Sequence, residues 1–319
     1  MPNYNKAIIV GDACLDINIR LNDFLNNDAT SQMPYDDHCG GTSANTALVL
    51  SKLGIETSFL GTIGDDYAGR SILDELQRNN IDTSLTIVDK NLNTVNVICL
   101  IEDDGERHLW GYPRVNVANG ELDIDKIDIE KIKSATWFHC SGMTMLNNGN
   151  IKNVLPDLYK IAHEAGVPTS FDFNTRVASK DLLDENAYAA IEKILPYVNY
   201  LTGSALDEFI CFHPSDDYQD SARYFTQNSK CVIARLGKQG AFVVSGDKEE
   251  LIKSYDVDVI NATGAGDSFN AGFIAGKLSG LDDFKATKYA SAVAAYKISH
   301  DSSYNLNKEV INQFINNNK

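Results

Sequence analysis

Short apolar runs of strand length alternate with helix-length stretches along most of this chain, and that alternation limits its fold more than any other feature. Ala7–Val10 is a four-residue apolar run closed by Gly11, and residues 43–53 read as a helix with Ser43 as candidate N-cap and Gly54 as its stop. Thr57–Leu60 then reads as a strand and 68–79 as a helix. Strand-like segments recur at 135–140, 167–171, 198–201 and Cys231–Arg235, with helical segments at 151–165, 185–195 and 221–227 between them. A strand that is apolar throughout is buried on both faces, and a helix between two strands returns the chain for parallel pairing. The pattern predicts an α/β fold, a central, mostly parallel sheet flanked by helices.

Two stretches break the alternation. Polarity alternates through Leu15, Ile17, Ile19 and Leu21 in the segment 14–38, and 94–110 reads as a hairpin turning at Asp103-Asp104-Gly105. Both lack helices, so segments at about 12–38 and 94–118 are expected to build a small separate β-sheet within a single domain spanning 1–319. The net charge of −16 argues against a binder of nucleic-acid phosphates. The six cysteines form no C-x-x-C pair and read as reduced, buried thiols. The apolar run near the N-terminus is too short for a signal peptide or a membrane span, so the expectation is a cytoplasmic protein with no membrane partner; a homodimer is compatible with the sequence.

Chemistry concentrates in two glycine-rich turns. In Asn261-Ala-Thr-Gly-Ala-Gly-Asp-Ser-Phe-Asn270, a strand over 256–260 is expected to end, a tight turn to follow, and a helix to begin near Asp267. Gly264 and Gly266 would let backbone amides converge where the helix dipole is positive, which makes an anion hole. An acid there is placed to take a proton from a hydroxyl while the amides hold a phosphoryl group; a plain capped turn is the alternative. The second turn, Gly40-Gly-Thr-Ser-Ala-Asn45, would let backbone approach a polyol, with Asn45, Asp12 and Asp16 available to its hydroxyls; a glycine turn before a capped helix is again the alternative. No G-x-x-x-x-G-K-[ST] occurs, and no G-x-G-x-x-G follows the first strand.

Taken together and in this order, the two motifs resemble the ribokinase-like, PfkB-type carbohydrate kinase family. The first motif stands as Gly40-Gly-x-x-x-Asn45 with Lys52-Leu-Gly54 and Leu60-Gly-x-Ile-Gly-x-Asp66 following, and the second as Thr263-Gly-Ala-Gly-Asp-Ser-Phe269. Tyr112-x-Arg114, Phe171-Asp-Phe-Asn-Thr-Arg176 and Leu236-Gly-Lys-Gln-Gly240 lie between them in the family's order, so the likeness runs from about residue 8 to 299. What it implies is a Rossmann-like domain with a small β lid over a sugar site, and ATP-dependent phosphorylation of a sugar hydroxyl. It implies Asp267 as catalytic base, with Gly264, Ala265 and Gly266 as anion hole. Asp12, Asp16, Gly40, Gly41 and Asn45 would bind the acceptor, with Arg114 and Arg176 at its far end. Ser204, Arg235, Gly237, Gly240 and Ser291 would lie along the nucleotide, and Mg²⁺ would accompany the ATP, with Asp207 acting on it indirectly.

Three departures qualify the likeness. The family's N-x-x-E appears as Ser204-Ala-Leu-Asp207, and the Asp-Thr before T-G-A-G-D appears as Asn261-Ala262, which puts a role for K⁺ in doubt. Ser291 stands where relatives often carry an amide or a larger polar group. The acceptor is expected to be a ketose such as fructose. A sugar acid such as 2-keto-3-deoxygluconate is the first alternative, and a nucleoside kinase or a non-catalytic sugar-binding regulator are further ones.

Overall fold

The computed structural model describes residues 5–20, 36–102, 107–113, 115–176, 183–300 and 305–318. Its strands are β1 (Ala7–Val10), β2 (Cys14–Arg20), β3 (Asp36–Gly40), β4 (Thr57–Leu60), β5 (Thr62–Gly64), β6 (Ile87–Asp89), β7 (Asn96–Ile101), β8 (Arg107–Tyr112), β9 (Trp137–Ser141), β10 (Thr169–Asp172), β11 (Tyr200–Ser204), β12 (Cys231–Arg235), β13 (Ala241–Ser245) and β14 (Lys248–Ile252). The main helices are α1 (Thr42–Lys52), α2 (Tyr67–Arg78), α3 (Ile151–Glu164), α4 (Glu185–Ile194), α5 (Tyr218–Phe225), α6 (Ala265–Leu278), α7 (Asp283–Ile298) and α8 (Lys308–Asn317).

The large sheet has the order β14-β13-β12-β11-β10-β9-β1-β4. Pairing is parallel from β4 through β12, and the β13–β14 edge is antiparallel. Successive residues of a strand point to opposite faces, and the burial follows that period. Ile8, Val10, Phe138, Cys140, Phe171, Leu201, Val232 and Ala234 fill one core with α3 and α4, whereas Ala7, Ile9, Trp137, Cys231 and Ile233 fill the other with α1, α2, α6, α7 and α8. Both faces are covered, as continuous apolar strands require.

The two helix-free stretches pair as expected, in a four-stranded sheet of order β3-β2-β7-β8. The expected hairpin turn at Asp103-Asp104-Gly105 lies outside the described residues. All six cysteines are free thiols; Cys14 is half-buried and the other five are buried. No helix among the described residues is long and apolar enough to cross a membrane.

Two local expectations are corrected. No strand forms at 256–260: Val259 and Ile260 are exposed, and the backbone N–H groups of Ile260 and Asn261 donate to the carbonyl of Ile298, 2.8 and 3.1 Å away, at the end of α7. The apolar residues that suggested a strand have no ladder to join, because the large sheet ends at β14. Nor is Ser43 the cap of α1. The N-cap is Gly41, at φ 97°, and Ser43 lies inside the helix with its hydroxyl donating to the Val10 carbonyl at 2.8 Å.

The side-chain cap comes from a distant segment, the Asp12 carboxylate at the exit of β1. It accepts from the N–H and hydroxyl of Thr42 (2.9 and 2.8 Å), the N–H of Ser43 (3.3 Å) and the hydroxyl of Thr144 (3.2 Å). A Cβ on Gly41 would come within 2.8 Å of the Asp12 carbonyl oxygen, so only glycine permits this approach. Asp12→Ala would strand four buried donors and should lower stability by about 2–4 kcal/mol. In urea the midpoint should fall with an unchanged slope, and Asp12→Asn should lose less. A loss below about 0.5 kcal/mol for the alanine variant would show that the helix does not depend on this cap.

Candidate active site

The C-terminal ends of the parallel strands and the N-termini of α1 and α6 converge, and the small sheet brings β2 and β3 to the same place. Asp16 on β2 lies across from His38 on β3, as Cys14 does from Gly40. A Cβ on Gly40 would fall 2.3 Å from the Asp16 carboxyl group, so the glycine is what lets that carboxylate lie against the neighbouring strand. Cys14 Sγ donates to Asp16 Oδ1 at 3.2 Å, and His38 Nε2 is 4.0 Å from Asp16 Oδ2. Burial, seconded by Asp12 and Glu75, pushes the Asp16 carboxyl above the usual range against the pull of Cys14 and His38.

Helix α6 starts at Gly264, whose left-handed φ of 75° turns the chain sharply into the first turn. The N–H of Ala265 bonds back to the Ala262 carbonyl at 3.3 Å. Among the described residues the N–H groups of Gly264, Gly266 and Asp267 have no acceptor, whereas that of Ala265 is engaged. Asp267 is only 6% exposed, and Asn45 Nδ2, on α1, donates to its Oδ2 at 3.1 Å. Burial raises its pKa to about 7; Asp12 and Asp172 add to the rise, and Asn45 and Arg176 oppose it. A carboxylate poised there can accept a proton from a hydroxyl and release it to water.

Beneath the turn lies a buried fork. Arg235, closing β12, donates to both oxygens of Asp172, closing β10, at 2.7 and 2.9 Å. Asn270 on α6 donates to Asp172 at 2.6 Å and accepts from Arg235 and from Thr202 of β11, both at 3.1 Å. Burial alone would raise the Asp172 pKa, but the guanidinium and the amide outweigh it and hold the carboxyl below its usual range. A Cβ on Gly266 would lie 3.8 Å from the guanidinium, which sets Arg235 beside the anion-binding turn. Sequence reasoning named Arg235 but not its partners. The available signal was a charged residue ending each of two otherwise buried strands, Thr169–Asp172 and Cys231–Arg235.

The turn after β11 sets two acids in different surroundings. Residues Ala205–Phe209 form a single π-helical turn, which holds one more residue than an α-turn. Asp207 is exposed; its carboxylate accepts from the Ser204 hydroxyl at 2.7 Å and its N–H donates back to that hydroxyl at 3.4 Å, while Glu208 turns inward at 3% exposure. Glu208 accepts from the N–H of Ser204 at 2.7 Å and of Arg176 at 3.2 Å. Burial raises its pKa, with Asp172 adding and Arg235 opposing. The inward acid is thus Glu208, a residue the sequence reading passed over for Asp207.

Other expected site residues fall as follows. Arg176 is exposed, has φ 54°, and its charge acts on Asp267. Gly237 and Gly240 flank the tight turn joining β12 to β13, and a Cβ on Gly240 would fall 2.0 Å from the Ile252 carbonyl oxygen. Ser291 is buried at 5% exposure within α7, leaving little surface for a ligand. Asp12 engages its carboxylate with the first turn of α1 and with Thr144. Arg114 lies outside the described residues. Asn261 Oδ1 accepts from the Thr263 N–H at 2.9 Å.

The arrangement can be set beside known proteins. Over 300 residues the chain is 28% identical to 5-dehydro-2-deoxygluconokinase of Geobacillus thermodenitrificans, covering 92% of this chain and 88% of that protein. A provisionally named ribokinase II from E. coli, solved with ATP and Mg²⁺, superposes with a TM-score of 0.84 at 22% identity, covering 98% and 99% of the two chains. A fructokinase from Xylella fastidiosa with bound ATP superposes with a TM-score of 0.82 at 19% identity over 98% of each chain. The model of the pfkB family carbohydrate kinases matches residues 5–309, nearly the whole length; the chain belongs to that family and is a carbohydrate kinase.

Proposed function

We propose that this kinase moves the γ-phosphoryl group of ATP onto a hydroxyl of a six-carbon keto sugar acid, with Asp267 as general base. The observation that carries the reading is the buried Asp267 carboxyl, with its pKa raised to about 7, at the first turn of a helix with unspent amides. In the transfer the acceptor O–H gives its proton to Asp267 as the new O–P bond forms. The bond from phosphorus to the bridging oxygen breaks, and its electron pair leaves with ADP. The N–H groups of Gly264, Gly266 and Asp267 take the negative charge on the phosphoryl oxygens. Mg²⁺ would enter on the nucleotide's phosphates and water and offset their charge. Asp207 and Glu208 at the end of β11 are the acids nearest in sequence to the family's N-x-x-E position. The small sheet, carrying Asp16 and Gly40, would cover the acceptor and exclude water.

Arg176 favours an acid over a neutral ketose. Its exposed guanidinium acts on Asp267, and a guanidinium fork pairs with a carboxylate through two parallel hydrogen bonds. The relative from Geobacillus thermodenitrificans carries a sugar-acid kinase name. A neutral ketose such as fructose is the second reading, favoured by Asp16 on the acceptor side, which suits hydroxyls and repels an anion.

Asp267→Asn should cut kcat by about 10²–10⁴ and leave both KM values nearly unchanged. The same variant tests the electrostatics. Because the folded-state pKa of Asp267 is raised to about 7 above its ordinary value near 4, the folded chain holds that proton in between, and stability falls as pH rises through this window. Relative to wild type, Asp267→Asn should therefore gain thermal stability between pH 4 and 7 and hold the gain at pH 8. A gap that shrinks with rising pH would contradict the assignment. For the acceptor, Arg176→Met should lower kcat/KM for 2-keto-3-deoxygluconate or 5-dehydro-2-deoxygluconate by about 2–4 kcal/mol, and much less for fructose. Equal losses on acid and ketose would return the acceptor to the neutral class.

A further inference from the structure

The sequence reading made Asn45 an acceptor ligand, but the structure turns its amide toward Asp267. Asn45 lies in the second turn of α1, whose N-terminus is held by Asp12, and α1 packs against α6. Its Nδ2 donates to Asp267 Oδ2 at 3.1 Å. The neighbouring Thr46 hydroxyl, 3.5 Å from the Asp267 carbonyl oxygen, approaches the same residue from the same helix. Among the described residues nothing donates to Asn45 Oδ1 or to Asp267 Oδ1.

We propose that Asn45 is a positioning residue for the base: its Nδ2–H holds one oxygen of Asp267, so that the other faces the acceptor hydroxyl. This rests on the kinase reading above. In the transfer step Asp267 Oδ1 takes the acceptor's proton, while Oδ2 keeps its bond from Asn45. Asn45 Oδ1 remains free to accept a neighbouring hydroxyl of the same sugar. One amide then sets the base and the acceptor in register, which a sugar ligand remote from the base would not do.

The bond also acts on the charge of the base. Asp12 from the loop after β1 and Asp172 from β10 disfavour a charged Asp267, whereas Arg176 from the loop after β10 and Arg235 from β12 favour it. Donation from Asn45 favours the charged form as well, since an N–H bonds more strongly to a carboxylate than to a carboxylic acid. Removing it should leave the base protonated to higher pH.

The test needs a readout that does not depend on turnover. The ¹³Cγ resonance of Asp267, identified by its absence in Asp267→Asn, is titrated in the wild type, Asn45→Ala and Asn45→Ser. The alanine variant should titrate about 0.5–1 pH unit higher, the size expected for one hydrogen bond to a charged group. Asn45→Ser, which restores a short donor, should lie between. In kinetics, Asn45→Ala should move the acid limb of kcat by the same amount, with the acceptor KM changing less than kcat. An unchanged midpoint in both variants overturns the proposal, and so does a rise in acceptor KM with kcat and its pH profile intact. If the midpoint shifts but wild type phosphorylates no sugar, Asn45 holds Asp267 as proposed and it is the kinase chemistry that falls.

Discussion

Much of the site depends on one buried ion pair, the fork between Arg235 and Asp172. Asp172 is fully buried, and an unpaired carboxylate there would cost several kcal/mol. The guanidinium offsets that cost with two bonds, and Asn270 completes the set by bonding to both partners. The consequence is geometric as well as energetic. β10, β11, β12 and α6 are joined at one point, so the first turn of α6 is held at the strand ends. Removing the guanidinium would strand the Asp172 carboxylate in a dry core, a far larger penalty than losing a surface pair.

The same logic of distant partners holds the opposite wall. Asp12 leaves the first strand and caps a helix that begins 30 residues later, so β1 and α1 are clamped by a carboxylate rather than by apolar contact alone. Gly41 and Gly40 permit that closeness, one beside Asp12 and one beside Asp16. From α1, Asn45 then reaches Asp267 on α6. Two helix N-termini, each tied to the end of a strand, thereby face one cleft. Asp16 and Asp267 are pushed by burial toward the protonated form, the first restrained by Cys14 and His38 and the second by Asn45 and Arg176.

Several acids share a small volume, and that is a cost to stability. Asp12, Asp172 and Glu208 are buried within electrostatic reach of one another or of Asp267, with Arg235 half-buried among them. A core built for stability alone would not collect them. The π-helical turn at Ala205–Phe209 belongs to the same picture, since an α-turn has no room for the extra residue that lets Glu208 point inward.

The sequence by itself determined the layered α/β fold, the small second sheet and the two glycine-rich helix starts. These are local properties: period-2 burial along strands, helix-length spacers, and glycines where the backbone must turn sharply or be approached closely. It also marked Asp267, an acid at a glycine-rich helix start, as a candidate. Its readings failed where the partner was remote. A strand at 256–260 was plausible from its apolar residues, but a strand exists only if a neighbour offers a ladder. Ser43 had the chemistry of a cap, but Asp12 held the position. Only the tertiary structure decided that Asn45 bonds to Asp267 and that Arg235 pairs with Asp172. Each of these hydrogen bonds joins residues more than sixty positions apart, and no local periodicity records which side chains a packed core will bring together.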